Sequence, residues 1–525
     1  MSGEGLMSSE GVTSSGSLGR EYVRVGESRP IPKTVDWDNA PSLFKLYRGC
    51  PKIPLDNSPA DDGAKGGSAQ GQLGRFLRDV YGLTRQRWTA PPQWSPPGAT
   101  AVGSRASQST QSKTTQCKTS QSKTLRPVPA GGARYPCELY LLAGPGQPIP
   151  AGVFHYDPAH HCLDVLRPGT PRAEAPAAGL SLLITVAFWK NVFKYGEFSY
   201  RLHSLDAGVL LGQSLAVASR HAFDPTVHFQ FSDAALNRLL GLDPDYESVY
   251  AVITLAPACA VDSAPEPANG LLGRPATPHS RSIGLYPLPA KLHEAVMRQG
   301  GGAWPPGERV PPALAHAPAS IGTVALPAAS LNLLEGLDRR RSSNGHFRSG
   351  AMRRDQLSAL LHGSMRGYPS DLGDDESVIQ HTMLCCAVHG VPGIDSGVYY
   401  YDPARHALEQ IRAGDVRAEL QAAITSLMFN LFQVNLCFFP VAHYEPRLAA
   451  YGDRWYRVQN MEAGIIVQRL YLAAAALGLG CHTQLGFHVN AVNELLGLGG
   501  GPLTSLIQVM IAPSHEPGSF YEYQL

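Results

Sequence analysis

The sequence predicts an α+β protein made of two copies of one domain, and three repeated pairs of blocks carry that prediction. GVFHYDPAHHCLDVLRPG (152–169) returns as GVYYYDPARHALEQIRAG (397–414), 245 residues later. SYRLHSLDAG (199–208) returns as WYRVQNMEAG (455–464), and LLGL (239–242) as LLGL (495–498), each 256 residues later. Within the second pair, Leu202, Leu205 and Val209 map onto Val458, Met461 and Ile465, so one apolar helix face is used twice. Self-similarity at a nearly fixed offset is the mark of a duplicated unit.

Taken in order, residues 1–34 open on MSGEGLMSSEGVTSSGSLGREY, polar and rich in Gly and Ser, with no apolar core of a secretory signal. They read as a disordered tail. Leu73, Phe76, Leu77, Val80 and Tyr81 fall at helical spacing, which predicts an amphipathic helix over 70–82. Residues 89–125, with PPQWSPPGAT and SQSTQSKTTQCKTSQSKT, have almost nothing to bury and read as a disordered low-complexity insertion. A strand is expected at 138–143, a hairpin at 152–167, a buried strand at 181–189, a helix at 199–220 and a closing strand at 249–255. These make a first domain over 35–255. From residue 256 the chain turns rich in Pro and Ala, and 256–335 reads as a linker to a second domain over 336–525.

A chain of 525 residues can hold two to four domains. The formal net charge of +1 gives no electrostatic case for nucleic acid or for an anionic membrane, and no apolar run is long enough to span a bilayer. Nine cysteines without a CxxC pair argue against structural zinc and against a disulfide framework. A cytoplasmic protein with buried thiols and no metal is the expectation.

The stretch RPVPAGGARYP (126–136) stands out. Gly131 and Gly132 carry no Cβ, so backbone here can lie flat against a planar ligand and offer its N–H groups to that ligand's edge. An isolated GG would be an ordinary turn before a strand. Here it sits in a series: WDNAPSLFKLYRGCPKIPL (37–55), LGRFLRDVYGLTRQR (73–87), PAGGARYPCELYLLA (129–143), GVFHYDPAHHCLDVLR (152–167) and FKYGEFSYRLHSLDAG (193–208). These five blocks, in this order, resemble the SagB-type azoline dehydrogenases, a branch of the FMN-dependent nitroreductase-like oxidoreductases.

That resemblance implies two fused nitroreductase-like domains, each a central mixed sheet flanked by helices, folded as an intramolecular version of the family's dimer. It implies an FMN site whose ring contacts include Pro129, Ala130, Gly131, Gly132 and Arg134. Arg340, Arg341 and Ser342 resemble the family's phosphate motif, although Asn344-Gly345-His346 stands where a second arginine is usual. Gly478, Leu479, Gly480 and Gly486, in AAAALGLGCHTQLGF, resemble the segment beside the flavin. A helix ended by glycine would account for them equally well.

The Lys-Tyr pair implicated in catalysis in the family is Lys194-Tyr195, whose counterpart in the second half is Ala450-Tyr451. The first half lacks the arginine-serine motif and the glycines, and the second lacks the PAGGARYP block. The halves are complementary, which points to one complete flavin site per chain. The implied reaction oxidises a thiazoline or oxazoline to the azole. A base, Tyr195 as phenolate with its pKa lowered by Lys194, or Lys194 itself, takes the former Cα proton while hydride leaves for the flavin. The implied partners are an azoline-bearing precursor peptide and a YcaO-type cyclodehydratase complex. The alternatives are a thiazoline oxidase acting in trans on nonribosomal intermediates, a general nitro or quinone reductase, and a flavin-free peptide-binding scaffold.

Overall fold

The structure is a computed structural model that describes residues 16–27, 31–32, 34–56, 68–89, 121–169, 179–256, 272–275, 280, 283–300, 312–372, 377–515 and 520–524. Most of the stretch read as a low-complexity insertion lies outside the described residues.

Each half contains a sheet with the same plan. The first runs, edge to edge, Lys52–Pro54, Cys162–Pro168, Gly152–Asp157, Cys137–Ala143, Leu180–Ala187, Glu247–Ala256 and Thr226–His228. The second runs Gly322–Ala325, Ala407–Ala413, Gly397–Asp402, Thr382–Val388, Leu436–His443, Gln508–Ala512 and Gly480–Gln484, with Leu503–Ser505 also on the Leu436–His443 strand. Strand for strand the orders correspond. Both repeated hairpins turn through Asp-Pro-Ala, where the carboxylates of Asp157 and Asp402 each accept two backbone N–H groups of the turn. Within both sheets the strand pairs are antiparallel, and the parallel component of a mixed sheet is confined to the isolated bridges Val227↔Ser370 and Ser342↔Cys481. Short connections impose antiparallel pairing in the repeated hairpins 152–168 and 397–413.

The halves meet through the helices Ser199–Ala218 and Arg454–Ala476, both buried along nearly their whole length. They cross at the glycines of the repeated blocks. A Cβ on Gly208 would stand 2.0 Å from Met461 O, and one on Gly464 would stand 2.4 Å from Leu205 O. Only glycine permits that backbone approach. The largest apolar core cluster, including Leu182, Ile184, Leu205, Leu210, Ile465, Leu470, Phe438 and Ile511, runs through both halves, beside a smaller cluster in each. Covering so much apolar surface makes the two units one folding body.

The helix 69–81, the strands 137–143, 152–157, 162–168, 180–187 and 247–256, and the helix 199–218 match the sequence expectations closely. Three readings need correction. Part of the presumed tail is ordered: Ser17–Glu21 is helical, Tyr22 is buried and donates to Glu197 O (2.5 Å), and Glu27 bonds both Arg201 (2.8 Å) and Tyr456 (2.7 Å). The presumed linker contains a helix, Pro287–Arg298, that buries Leu292, His293 and Val296, and the edge strand Gly322–Ala325 of the second sheet. The presumed insertion ends in an ordered strand, Gln121–Leu125, which joins Arg85–Thr89 and Phe520–Gln524 in a three-stranded sheet. The described cysteines are free, and all but Cys50 are buried. No helix among the described residues is long and apolar enough to cross a membrane.

Candidate active site

A pocket of about 840 Å³ opens between the halves and is lined from both. That volume lies within the range of about 300–1,000 Å³ usual for small-molecule and cofactor sites. The first half contributes Pro129, Ala130, Gly131, Gly132, Lys194 and Tyr195; the second contributes Arg340, Arg341, Ser342 and Gly486. Residues that the sequence placed in two separate halves thus face one cavity.

The glycine loop is a tight turn, with Gly132 at φ 61° and the non-glycine Ala133 and Tyr135 also at positive φ. Its packing leaves no room for side chains. A Cβ on Gly131 would lie 2.4 Å from Leu202 Cδ2, and one on Gly132 would lie 2.4 Å from Tyr195 Oη and 2.9 Å from Lys194 Nζ. The loop is held from behind by Asp206, whose carboxylate oxygens accept from Gly131 N at 3.1 and 3.3 Å while Asn191 Nδ2 donates to it at 3.2 Å. Burial pushes the Asp206 carboxyl up to about 7, against the lowering effect of those two donors. Asp206 was not singled out from sequence, although its repeat counterpart is also an acid, Glu462.

Lys194 ends the helix Trp189–Tyr195, and its Nζ lies 5.0 Å from the Tyr195 ring centroid and 6.0 Å from that of Trp37. Burial lowers its pKa, and the nearby charges of Arg134 and Lys123 lower it further. Tyr195 moves the other way: burial, helped by the Asp206 charge, pushes it up to about 12. The expectation of a Tyr195 phenolate is therefore corrected, because desolvation disfavours the charged form of a phenol. The same desolvation works against the charged form of the Lys194 amine.

At the other end, Arg340 is buried, donates from Nη2 to Arg126 O at 3.0 Å, and its Nε has no partner among the described residues. Ser342 Oγ lies 3.1 Å from Tyr471 Oη, which also accepts from Thr483 N at 3.1 Å. Burial pushes Tyr471 up to about 12 and His482 down to about 4, so both line the pocket uncharged. A buried guanidinium with an unused donor, a serine hydroxyl and a glycine wall are a fitting donor set for a flat, phosphate-bearing cofactor such as FMN.

Some expected residues are elsewhere. Arg134 sits beside the pocket, where its Nη2 donates to Pro41 O (3.3 Å) and its guanidinium lies 4.9 Å from the Phe193 ring centroid. Gly478 and Leu479 end the helix 454–476 in a Schellman turn, with Gly478 N on Ala475 O, Leu479 N on Ala474 O and φ 70° at Gly478. Gly480 is packed against Ser343 and Ser514. These three do not line the cavity. Conversely, Arg85 and Arg87 line it, and sequence gave no sign of that.

In the first half the strand that corresponds to Gly480–Gln484 is Thr226–His228. Beside Thr226–His228, Val227 N bonds Pro369 O and Asp371 N bonds Val227 O, while the Asp371 carboxylate accepts from Phe229 N and Gln230 N at 2.9 Å. Glu462, the counterpart of Asp206, bonds the Thr382 hydroxyl instead of a glycine loop.

Comparison with known proteins agrees with this geometry. Residues 337–511 match the nitroreductase family model. The second half carries a nitroreductase-family domain. The whole chain shares its fold with a crystal structure of an Anabaena variabilis protein named as a nitroreductase, at a TM-score of 0.71 over 96% of this chain and 100% of that one, with 23% identity. The chain is also similar to the protein MJ1384 of Methanocaldococcus jannaschii, named as a nitroreductase (36% identity over 116 residues, 22% of this chain and 58% of that protein). It is similar as well to the trifolitoxin-processing protein TfxB of Rhizobium leguminosarum bv. trifolii (29% over 143 residues, 24% and 38%). It thus spans about half, and about two fifths, of the lengths of these curated relatives.

Proposed function

We propose that this nitroreductase-like chain is an FMN-dependent dehydrogenase that oxidises peptide thiazolines or oxazolines to thiazoles or oxazoles during maturation of a ribosomally made peptide. The observation that carries the reading is the single pocket in which Lys194-Tyr195 and the glycine loop of one half face the arginine-serine run of the other. Similarity to a trifolitoxin-processing protein supports a peptide substrate. In this reading the two units are a tandem duplication, 35–255 and 336–525, working in the cytoplasm beside a YcaO-type cyclodehydratase that supplies the azoline-bearing precursor.

Arg340, Arg341 and Ser342 would hold the FMN phosphate, and Pro129 to Gly132 with Gly486 would face its ring. FMN, when bound, supplies the two-electron acceptor. The chain does the rest. The Lys194 amine, its pKa lowered by burial and by neighbouring cations, takes the proton from the former Cα as the ring gains its second double bond and gives up hydride. The Tyr195 hydroxyl donates to the ring heteroatom or the adjoining carbonyl and holds the azoline in register. The pocket walls, Leu202, Leu205 and Val209, exclude water from that proton transfer.

The test is aerobic incubation of the purified, FMN-loaded protein with a thiazoline-containing peptide, followed by mass spectrometry. Loss of two hydrogens without NAD(P)H is the expected result. Rapid NAD(P)H oxidation with no change in the peptide would point to a general reductase instead.

A further inference from the structure

The phosphate run of the second half has one gap: Asn344-Gly345-His346 occupies the place of a second arginine. The cavity nevertheless holds more positive charge than that run supplies. Arg85, Arg87 and Lys123 line it together with Arg340 and Arg341. Arg85 and Arg87 are two apart on one strand, so they share a face, and the register Arg85↔Leu125 and Arg87↔Lys123 puts Leu125 and Lys123 on that face too. All four line the pocket.

We propose that Arg85 and Arg87 complete, from the first half, an anion site for a phosphate monoester that Arg340, Arg341 and Ser342 begin in the second. The inference rests on the flavin reading and identifies the monoester as that of FMN. Arg85 lies against the motif itself, donating from Nη1 to Arg340 O at 3.3 Å and from Nη2 to Asp338 O. Those bonds fix the guanidinium beside the run. The field of Arg87 reaches Tyr135, as does that of Arg340, so the two cations share one neighbourhood.

The arginine strand is also rigidly presented. Gln121–Leu125 pairs along one edge and Phe520–Gln524 along the other, each over its full length. Asp206, the one carboxylate among the described residues that line the pocket, is turned to the Gly131 amide. A concave site with several guanidinium groups and one occupied carboxylate favours a dianion, and planar arginine forks match phosphate oxygens pairwise. Because the grip draws on both halves, neither half alone would hold the phosphate.

The same chemistry could serve an anionic group on the substrate, and the experiment separates the two. The full chain, freed of bound flavin, is titrated with FMN and with riboflavin by fluorescence quenching, for wild type, Arg85→Ala, Arg87→Ala and Arg87→Lys. The expected result is that each alanine variant weakens FMN about tenfold to hundredfold and leaves riboflavin within about twofold, with Arg87→Lys in between. Equal losses for both flavins, or no loss for either, overturn the assignment. An unchanged FMN-to-riboflavin ratio combined with a raised KM for an acidic peptide would assign the arginines to the substrate and also overturn it. If wild type binds neither flavin, the flavin reading itself fails, whatever the variants do. Should Arg85→Ala fail to fold, the two Arg87 variants decide the matter.

Discussion

Asp206→Asn is the perturbation whose sign the structure fixes most firmly. In the native state burial raises this carboxyl from its ordinary 3.8 to about 7, whereas in the unfolded chain it returns to the ordinary value. At about 1.4 kcal/mol per pH unit, keeping it ionised costs the native state about 4 kcal/mol once the pH exceeds 7. Below about pH 4 it is protonated in both states and costs nothing. Between those limits the native state holds a proton that the unfolded chain releases, so its contribution to stability falls as the pH rises. Asparagine keeps the shape and an oxygen for the Gly131 amide but cannot ionise. Asn191 Oδ1, buried and without a partner among the described residues, can accept from the new amide if its own amide turns over. Between pH 5 and pH 8 the variant should therefore gain about 2–3 kcal/mol on wild type, roughly 2–3 °C in melting temperature for a folding body of this size. Differential scanning fluorimetry of both proteins across that range measures it. A difference that stays constant with pH, or that moves against the variant toward pH 8, would refute the argument.

Three further outcomes follow from the site and the helix crossing. Lys194→Met should retain FMN yet lose turnover about 100-fold or more, and with it the rise of rate through a pKa below the usual lysine value. Tyr195→Phe should keep that rise, since Tyr195, pushed up to about 12, does not titrate in the assay range. Gly132→Ala drives a methyl group into Tyr195 Oη and Lys194 Nζ at a positive φ, and should lower both FMN affinity and turnover, read by fluorescence titration and steady-state kinetics. Gly208→Ala meets Met461 backbone at 2.0 Å and should cost at least about 1–3 kcal/mol by overpacking, seen as a lower melting temperature.

Much of this was legible in the sequence because it is local. The turn residues of the 152–167 hairpin and the helical spacing around Leu202, Leu205 and Val209 depend on neighbours a few residues away, and the observed elements end within two residues of the expected limits. What was missed depends on distant partners. Tyr22 and Glu27 lie in a polar stretch whose order comes from Glu197, Arg201 and Tyr456. The helix 287–298 begins with Pro287 and Pro289, and proline in a first turn fits a helix as well as a linker. Arg85 and Arg87 belong to a strand paired with residues 121–125 and 520–524, and no periodicity announces so remote a pairing. Gly478 shows the converse: its helix-ending geometry explains it fully, and the likeness to a flavin segment added a role that its position does not support.

The central claim is one composite flavin site per chain, built from complementary halves. Counting FMN released by denaturation of the purified, FMN-saturated protein against chain concentration tests it most directly. The account predicts one FMN per chain. Two would mean that the counterpart site also binds flavin, and none would remove the cofactor on which the proposed reaction depends.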